Sequence, residues 1–377
     1  MSIVIDDKKI TDINISNKNV QKIVDILTDK IIFEKTKPVS NEYFYIENTY
    51  NGSNTISLKT TIGSGNITGS HATQLQYSKD KETWTTITLS GTNTIRMNSG
   101  ERVYFRNDSG SFNWYKKARD RFYTQIKCSN NHKVGGNINS LLDYNNYNVA
   151  ITPYCFFSLF YENKYLTDAN ELIFSKTSLA SHCYQNMFYG CTSLTTAPEL
   201  PATTLAYNCY DSMFYGCNSL TTAPELPATT LAPNCYDSMF GSCTSLTTAP
   251  ELPATTLAYN CYEFMFQNCT SLTTAPALPA TTLASSCYYN MFYGCNSLTT
   301  APELPAKTLA EGCYYNLFDN CTSLNNVTVY ADDISASNCT TDWLNNVAST
   351  GTFRNLGSVI YPTGASGIPS GWTEVKN

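Results

Sequence analysis

The sequence predicts a mainly β chain: an N-terminal antiparallel β-sandwich followed by a solenoid with short helical turns and a 26-residue period. Three observations predict it. Cysteines recur without a slip as Cys183, Cys209, Cys235, Cys261, Cys287, Cys313 and Cys339, and again as Cys191, Cys217, Cys243, Cys269, Cys295 and Cys321. Between them the text is nearly constant: Cys-Tyr-x-x-Met-Phe-x-Gly-Cys-Thr-Ser-Leu-Thr-Thr-Ala-Pro-Glu-Leu-Pro-Ala-Thr-Thr-Leu-Ala. Upstream, short β-prone runs alternate with Gly, Asn and Asp turns.

Taken in order, residues 1–36 read as a small β docking segment, with a turn at Asp29-Lys30 and a strand from Ile31 to Lys35. So short a unit cannot bury a core alone. Ile23, Val24, Ile31, Ile32 and Phe33 are therefore its candidate docking residues, against its own copies or another protein. Residues 37–125 read as the sandwich, with strands at 43–46, 55–58, 74–77, 83–87, 94–97 and 102–105. Residues 126–345 hold the repeats, opened by a cap over Val134–Leu142 and by one divergent copy at Cys155. Residues 346–377 close the far end, as the open core face of a stacked array requires.

Within one repeat, Cys209 to Tyr215 reads as two short helical turns, with Cys209 and Met213 on one face at i, i+4. Gly216 stands where a left-handed residue ends a turn; Gly190, Gly294, Asn268 and Asn320 are its equivalents, and Ser242 departs. The copies differ mainly in the loop before the first cysteine and on the face opposite Cys and Met. That face supplies Asp211, Tyr215, Asp237, Glu263, Tyr289, Tyr293 and Tyr315 as candidate surface-binding residues. Drift at exposed positions explains the same variation. The constant Thr-Thr pairs form a hydroxyl ladder suited to cross-strand packing.

The cysteines read as two ladders of reduced, buried thiols: Cys183, Cys209, Cys235, Cys261, Cys287 and Cys313 in one, Cys191, Cys217, Cys243, Cys269, Cys295 and Cys321 in the other. Equivalent cysteines of neighbouring repeats sit on packed helical turns roughly 8–10 Å apart, beyond the reach of about 7 Å that a disulfide allows. Zinc is disfavoured, because no repeat offers Cys-x₂₋₄-Cys spacing with a nearby His. No nucleophile–base pair or Gly-rich phosphate loop stands out, so neither an enzyme nor a cofactor is expected. From 181 to 323 nine acids face one base, Lys307, a net −8 that repels nucleic acid and anionic membrane. The basic stretch Tyr115–Arg121 reads as a solvated strand edge rather than a phosphate site. The start has no apolar signal region and no run is long enough to span a bilayer, so synthesis in a reducing cytoplasm without membrane insertion is expected.

The run Met187 to Leu194 and its copies, Met-Phe-x-Gly/Asn-Cys-Thr/Asn-Ser-Leu, resembles the BspA-like leucine-rich repeats of gut-bacterial surface proteins and their phages. Ile87 to Phe105 with Gly136–Leu142 resembles the sandwich and cap before such repeats. Asn338–Leu344, Thr350–Phe353 and Ser366–Thr373 resemble their closure. The resemblance covers about 37–377; residues 1–36 lack the signal peptide or lipobox of secreted members and look like the docking segment of a virion protein, as in crAss-like gut phages. It implies a non-enzymatic fibre or decoration subunit, made in the bacterial host cytoplasm and placed in the virion. Its partners would be other virion proteins at the N-terminal segment and a host-surface glycan or protein at the repeats. A homo-oligomer is expected, a trimer being one form. The alternatives are a bacterial cell-surface adhesin and a structural spacer with no ligand.

Overall fold

A computed structural model describes residues 22–25, 30–34, 42–62, 74–107, 114–115 and 121–376. The chain forms two compact units, Met1–Ser40 and Asn41–Asn377. In the first, β1 (Lys22–Asp25) and β2 (Lys30–Glu34) pair as an antiparallel hairpin with Ile23 opposite Phe33 and Val24 opposite Ile31. The docking candidates thus sit on these two strands, and their side chains lie outside the described residues.

The second unit is mainly β. Its early strands are β3 (Phe44–Asn48), β4 (Asn54–Ile62), β5 (Gln74–Ser78), β6 (Thr85–Thr88), β7 (Thr92–Met97), β8 (Arg102–Arg106), β9 (Trp114–Tyr115), β10 (Arg121–Cys128) and β11 (His132–Asn137). The order β7-β4-β10-β9 makes one antiparallel sheet. A second sheet runs β12-β11-β3-β8-β5-β6, where β12 is Leu166–Ile173. Alternation sets the faces: Ile56 and Leu58 of β4, Ile95 and Met97 of β7, and Val103 and Phe105 of β8 are buried while their neighbours face outward. All belong to one hydrophobic core that continues through the repeats.

The join to the repeats is made by backbone. β11 is antiparallel to β3 on one side and parallel to β12 on the other, so the sheet runs directly into the first coil. Gly136 permits this: its φ is +75°, and a Cβ there would stand 2.1 Å from the Tyr43 carbonyl oxygen. A 3-10 turn, Ile138–Leu141, follows, capped by the Asn137 side chain accepting from Asn139 N. His132 is buried at this join. Its Nδ1 faces the Asn130 carbonyl at 3.0 Å, and its Nε2 lies 3.0 Å from Asn163 Nδ2.

From there each repeat forms one coil bonded in register to the next. Parallel bridges pass from Asp168 to Thr196, along Thr222, Thr248 and Thr274, and from Thr300 to Asn326. They lead into a closing parallel sheet of β13 (Asn326–Val329), β14 (Gly351–Asn355) and β15 (Trp372–Lys376).

The helical turns expected between the cysteines are not helical, and among the described residues there is no α-helix. The segment is a chain of tight turns with a left-handed residue at every fourth position: φ is +54° at Asn208, +54° at Ser212 and +70° at Gly216. Backbone N–H groups alternate in destination. Cys209, Met213 and Tyr215 donate three residues back within the coil, whereas Tyr210, Ser212, Phe214 and Gly216 donate to Cys235, Asp237, Met239 and Gly241 of the next coil at 2.8–3.1 Å. An α-helix bonds every donor after its first four within itself; here half of them bind the coils together. The Gly216 position is left-handed throughout, including Ser242 at φ +58°. A closing bond stands at each end of this array: Ile126 N donates to Leu159 O of the first coil at 2.7 Å, and Leu344 N of the last donates to Ala365 O at 3.1 Å.

This geometry revises the spacing of the thiols. Hydrogen-bonded coils place equivalent Cα atoms at sheet spacing, about 5 Å, and not at a helix–helix distance. All fifteen cysteines are nevertheless unbridged and buried. The core beside them is two aromatic columns. Tyr184, Tyr210, Tyr236, Tyr262, Tyr288 and Tyr314 stack at 5.7–6.1 Å and end on Trp343. Phe160, Phe188, Phe214, Phe240, Phe266, Phe292 and Phe318 form the second column.

Candidate functional site

Four residues per turn give the repeat its surface. In Cys209–Gly216 the pattern is two buried residues, then two half-buried ones, twice over. The half-buried positions of successive coils line up as columns. One column runs Gln185, Asp211, Asp237, Glu263, Tyr289, Tyr315, and a second runs Tyr189, Tyr215, Gly241, Gln267, Tyr293, Asp319, of which Gly241 and Asp319 are buried. All seven predicted surface residues fall on these two columns, and all are half-buried.

The structure brings three of them together electrostatically. Asp211, Asp237 and Glu263 stand in consecutive coils and repel one another; burial, then that repulsion, pushes Asp237 up to about 8. Burial likewise pushes Glu263 up to about 7. Asp211 is raised by burial and held back by Ser212, Gln185 and Asn208. Tyr289 and Tyr315 stack at 4.7 Å, and Tyr215 stacks on Tyr189 at 5.0 Å. Stacked rings close their faces on each other and present edges and hydroxyls outward. Tyr293 lies on the same face apart from those pairs.

Sequence reasoning passed over several neighbours. His182 stacks on Tyr154 at 4.3 Å, and its Nδ1 lies 2.9 Å from Gln185 Oε1; Gln185 Nε2 in turn donates to Asp211 at 2.7 Å. Tyr207 and Tyr259 are 48% and 55% exposed, and Tyr207 meets His182 edge to face at 5.2 Å. Their signal was present, since both sit in the variable loop before a cysteine. On the constant side the Thr221-Thr222 and Thr247-Thr248 pairs and their equivalents are exposed.

The second-series thiols have a defined task. Cys191, Cys217, Cys243, Cys269, Cys295 and Cys321 donate to the carbonyls of Phe160, Phe188, Phe214, Phe240, Phe266 and Phe292 of the coil before, at 3.0–3.2 Å. Burial pushes Cys243 up to about 12, which removes the thiolate that reaction or metal binding requires. Among the described residues no three His, Cys, Asp or Glu side chains are arranged to hold a metal ion. Among them, too, no helix is long and apolar enough to cross a membrane. No protein-family model, curated protein or solved structure matches the chain.

Proposed function

We propose that the chain is a non-enzymatic display protein of the BspA-like leucine-rich-repeat kind, a sandwich followed by a solenoid. In this reading it serves as a fibre or decoration subunit of a virion. The N-terminal segment docks on other virion proteins and oligomerises, and the repeats meet a glycan or protein on the host surface. The observation that carries this reading is the division of labour within each coil. The buried Cys, Tyr, Met and Phe positions are held nearly constant, while the half-buried columns change from Asp211 to Glu263 to Tyr289. A scaffold that is fixed inside and varied outside is what surface recognition demands.

The test is saturable binding of the labelled full-length chain to intact gut Bacteroidales cells. Binding that weakens at least tenfold on joint Tyr289→Ala and Tyr315→Ala substitution supports the reading. No binding by the folded chain leaves the second reading, a ligand-free spacer. The spacer is favoured by one observation, that the Tyr189–Tyr215 and Tyr289–Tyr315 rings already cover each other's faces.

A further inference from the structure

Asp211, Asp237 and Glu263 occupy one position in three successive coils, yet their hydrogen bonding is unequal. Asp211 accepts from Gln185 Nε2 at 2.7 Å, Asn208 Nδ2 at 2.8 Å and Ser212 Oγ at 2.7 Å. Asp237 accepts from Ser238 Oγ at 2.7 Å, and Glu263 from Asn260. Three donors suit an ionised carboxylate; one donor in a half-buried site does not. Asp237 is also the middle member, with a carboxyl on either side.

Compensating charge is scarce. The sequence holds no Lys or Arg from 177 to 306. The titratable groups facing the row are His182 and the Cys209 thiol beside Asp211, and Tyr289 beside Glu263. Burial disfavours the charged form of His182, and the other two carry no positive charge.

A second observation is independent of the acids. Three residues before each carboxyl stands an asparagine, Asn208, Asn234 or Asn260, whose Oδ1 is buried and has no hydrogen-bond partner. Asn208 and Asn260 are each 9% exposed. These oxygens lack a donor, and they are sealed from solvent, so an arriving ammonium group or metal ion cannot reach them. A protonated Glu263, already bonded to Asn260, supplies such a donor without an outside group.

We propose that the row is a proton-binding site, in which Asp211 stays ionised while Asp237 holds a proton and shares it with Glu263. The protonated row joins its three coils without like-charge repulsion, and loss of the proton sets the coils against one another. The raised carboxyls of Asp237 and Glu263, near 8 and 7, place that loss around neutral to mildly alkaline pH. In the unfolded chain these groups titrate near 4. The folded values are higher, so the stabilisation is complete in acid and disappears as pH rises through about 8.

The experiment is thermal unfolding of the full chain from pH 5 to pH 9, wild type beside Asp237→Asn, which copies the protonated acid. The wild type is expected to lose several degrees of Tm relative to the variant as pH rises, and the variant to be the more stable at pH 9. Parallel curves overturn the proposal. Carboxyl NMR of the wild-type chain labelled with ¹³C-aspartate gives a check that needs no variant. One aspartate titrating between pH 6.5 and 8.5 is expected, and a set titrating wholly below pH 5 overturns the proposal.

Discussion

The thiol of Cys243 donates to the carbonyl oxygen of Phe214 across 3.1 Å, and that same oxygen accepts the backbone N–H of Cys217 at 3.0 Å. Each phenylalanine carbonyl of the series thus takes one bond from its own coil and one from the next. The cysteine supplies a weak donor on a small apolar side chain, a combination that neither alanine nor valine offers. Replacing Cys243 with alanine is expected to destabilise the fold by about 1–2 kcal/mol, from lost packing and a lost bond. Urea unfolding measures it, and an unchanged midpoint would remove the thiol's role.

The same burial makes the thiols silent. The twelve ladder cysteines are expected to resist a thiol-reactive disulfide reagent in the native protein and to react together on denaturation. Fast labelling of any of them in buffer, followed by peptide mapping, would show that the coils open locally.

Tyr184, Tyr210 and Tyr236 carry buried hydroxyls with no hydrogen-bond partner. An unpaired buried hydroxyl costs about 1–3 kcal/mol, and an apolar side chain of the same shape avoids that cost. Tyr236→Phe is therefore expected to leave stability unchanged or to raise it by up to about 1 kcal/mol. A clear loss in a thermal melt would reveal a partner for that hydroxyl.

Ser242 holds a left-handed backbone, φ +58°, where Gly190, Gly216 and Gly294 stand in other coils. Ser242→Gly is expected to gain about 0.5–1 kcal/mol by relieving that conformation. The reverse change, Gly216→Ala, meets only ordinary contacts at 3.8 Å, so its expected loss of about 1 kcal/mol is conformational. Opposite shifts in the unfolding midpoints would confirm the pair.

His132 gives a pH dependence of the opposite sign to the carboxyl row. Burial lowers it to about 4, below its unfolded value of 6.5. The unfolded chain therefore takes up the proton first, and stability is full above pH 6.5 and declines as pH falls toward 4, by about 3 kcal/mol at the limit. His132→Gln should flatten that acid limb of the stability profile; an unchanged slope would assign the limb to other groups.

Much of the architecture was legible in the residues. The cysteine period fixed the coil length, and the six strands read between Tyr43 and Phe105 all appear, β6 shorter and β4 longer than expected. The turns were misread as helix because Cys209 and Met213, four apart, fit either a 3.6-residue or a four-residue period. The discriminating sign was Asn208, Ser212 and Gly216, three residues tolerant of φ > 0 at one spacing. β11 escaped because Gly135-Gly136 suggested a cap, when Gly136 in fact admits the Tyr43 backbone. The acid row was visible as variable positions, but its burial was not, since it depends on which neighbour the next coil brings.

In the turn face of every coil, the amides that leave the coil point toward the following coil and the carbonyls toward the preceding one. The face therefore has a direction, like a stack of identical plugs and sockets. It needs donors only at its beginning, where Ile126 is one, and acceptors only at its end, where Ala365 is one. Adding or removing a whole 26-residue repeat leaves both ends as they were, so the reach of this protein can change while its two closures stay fixed.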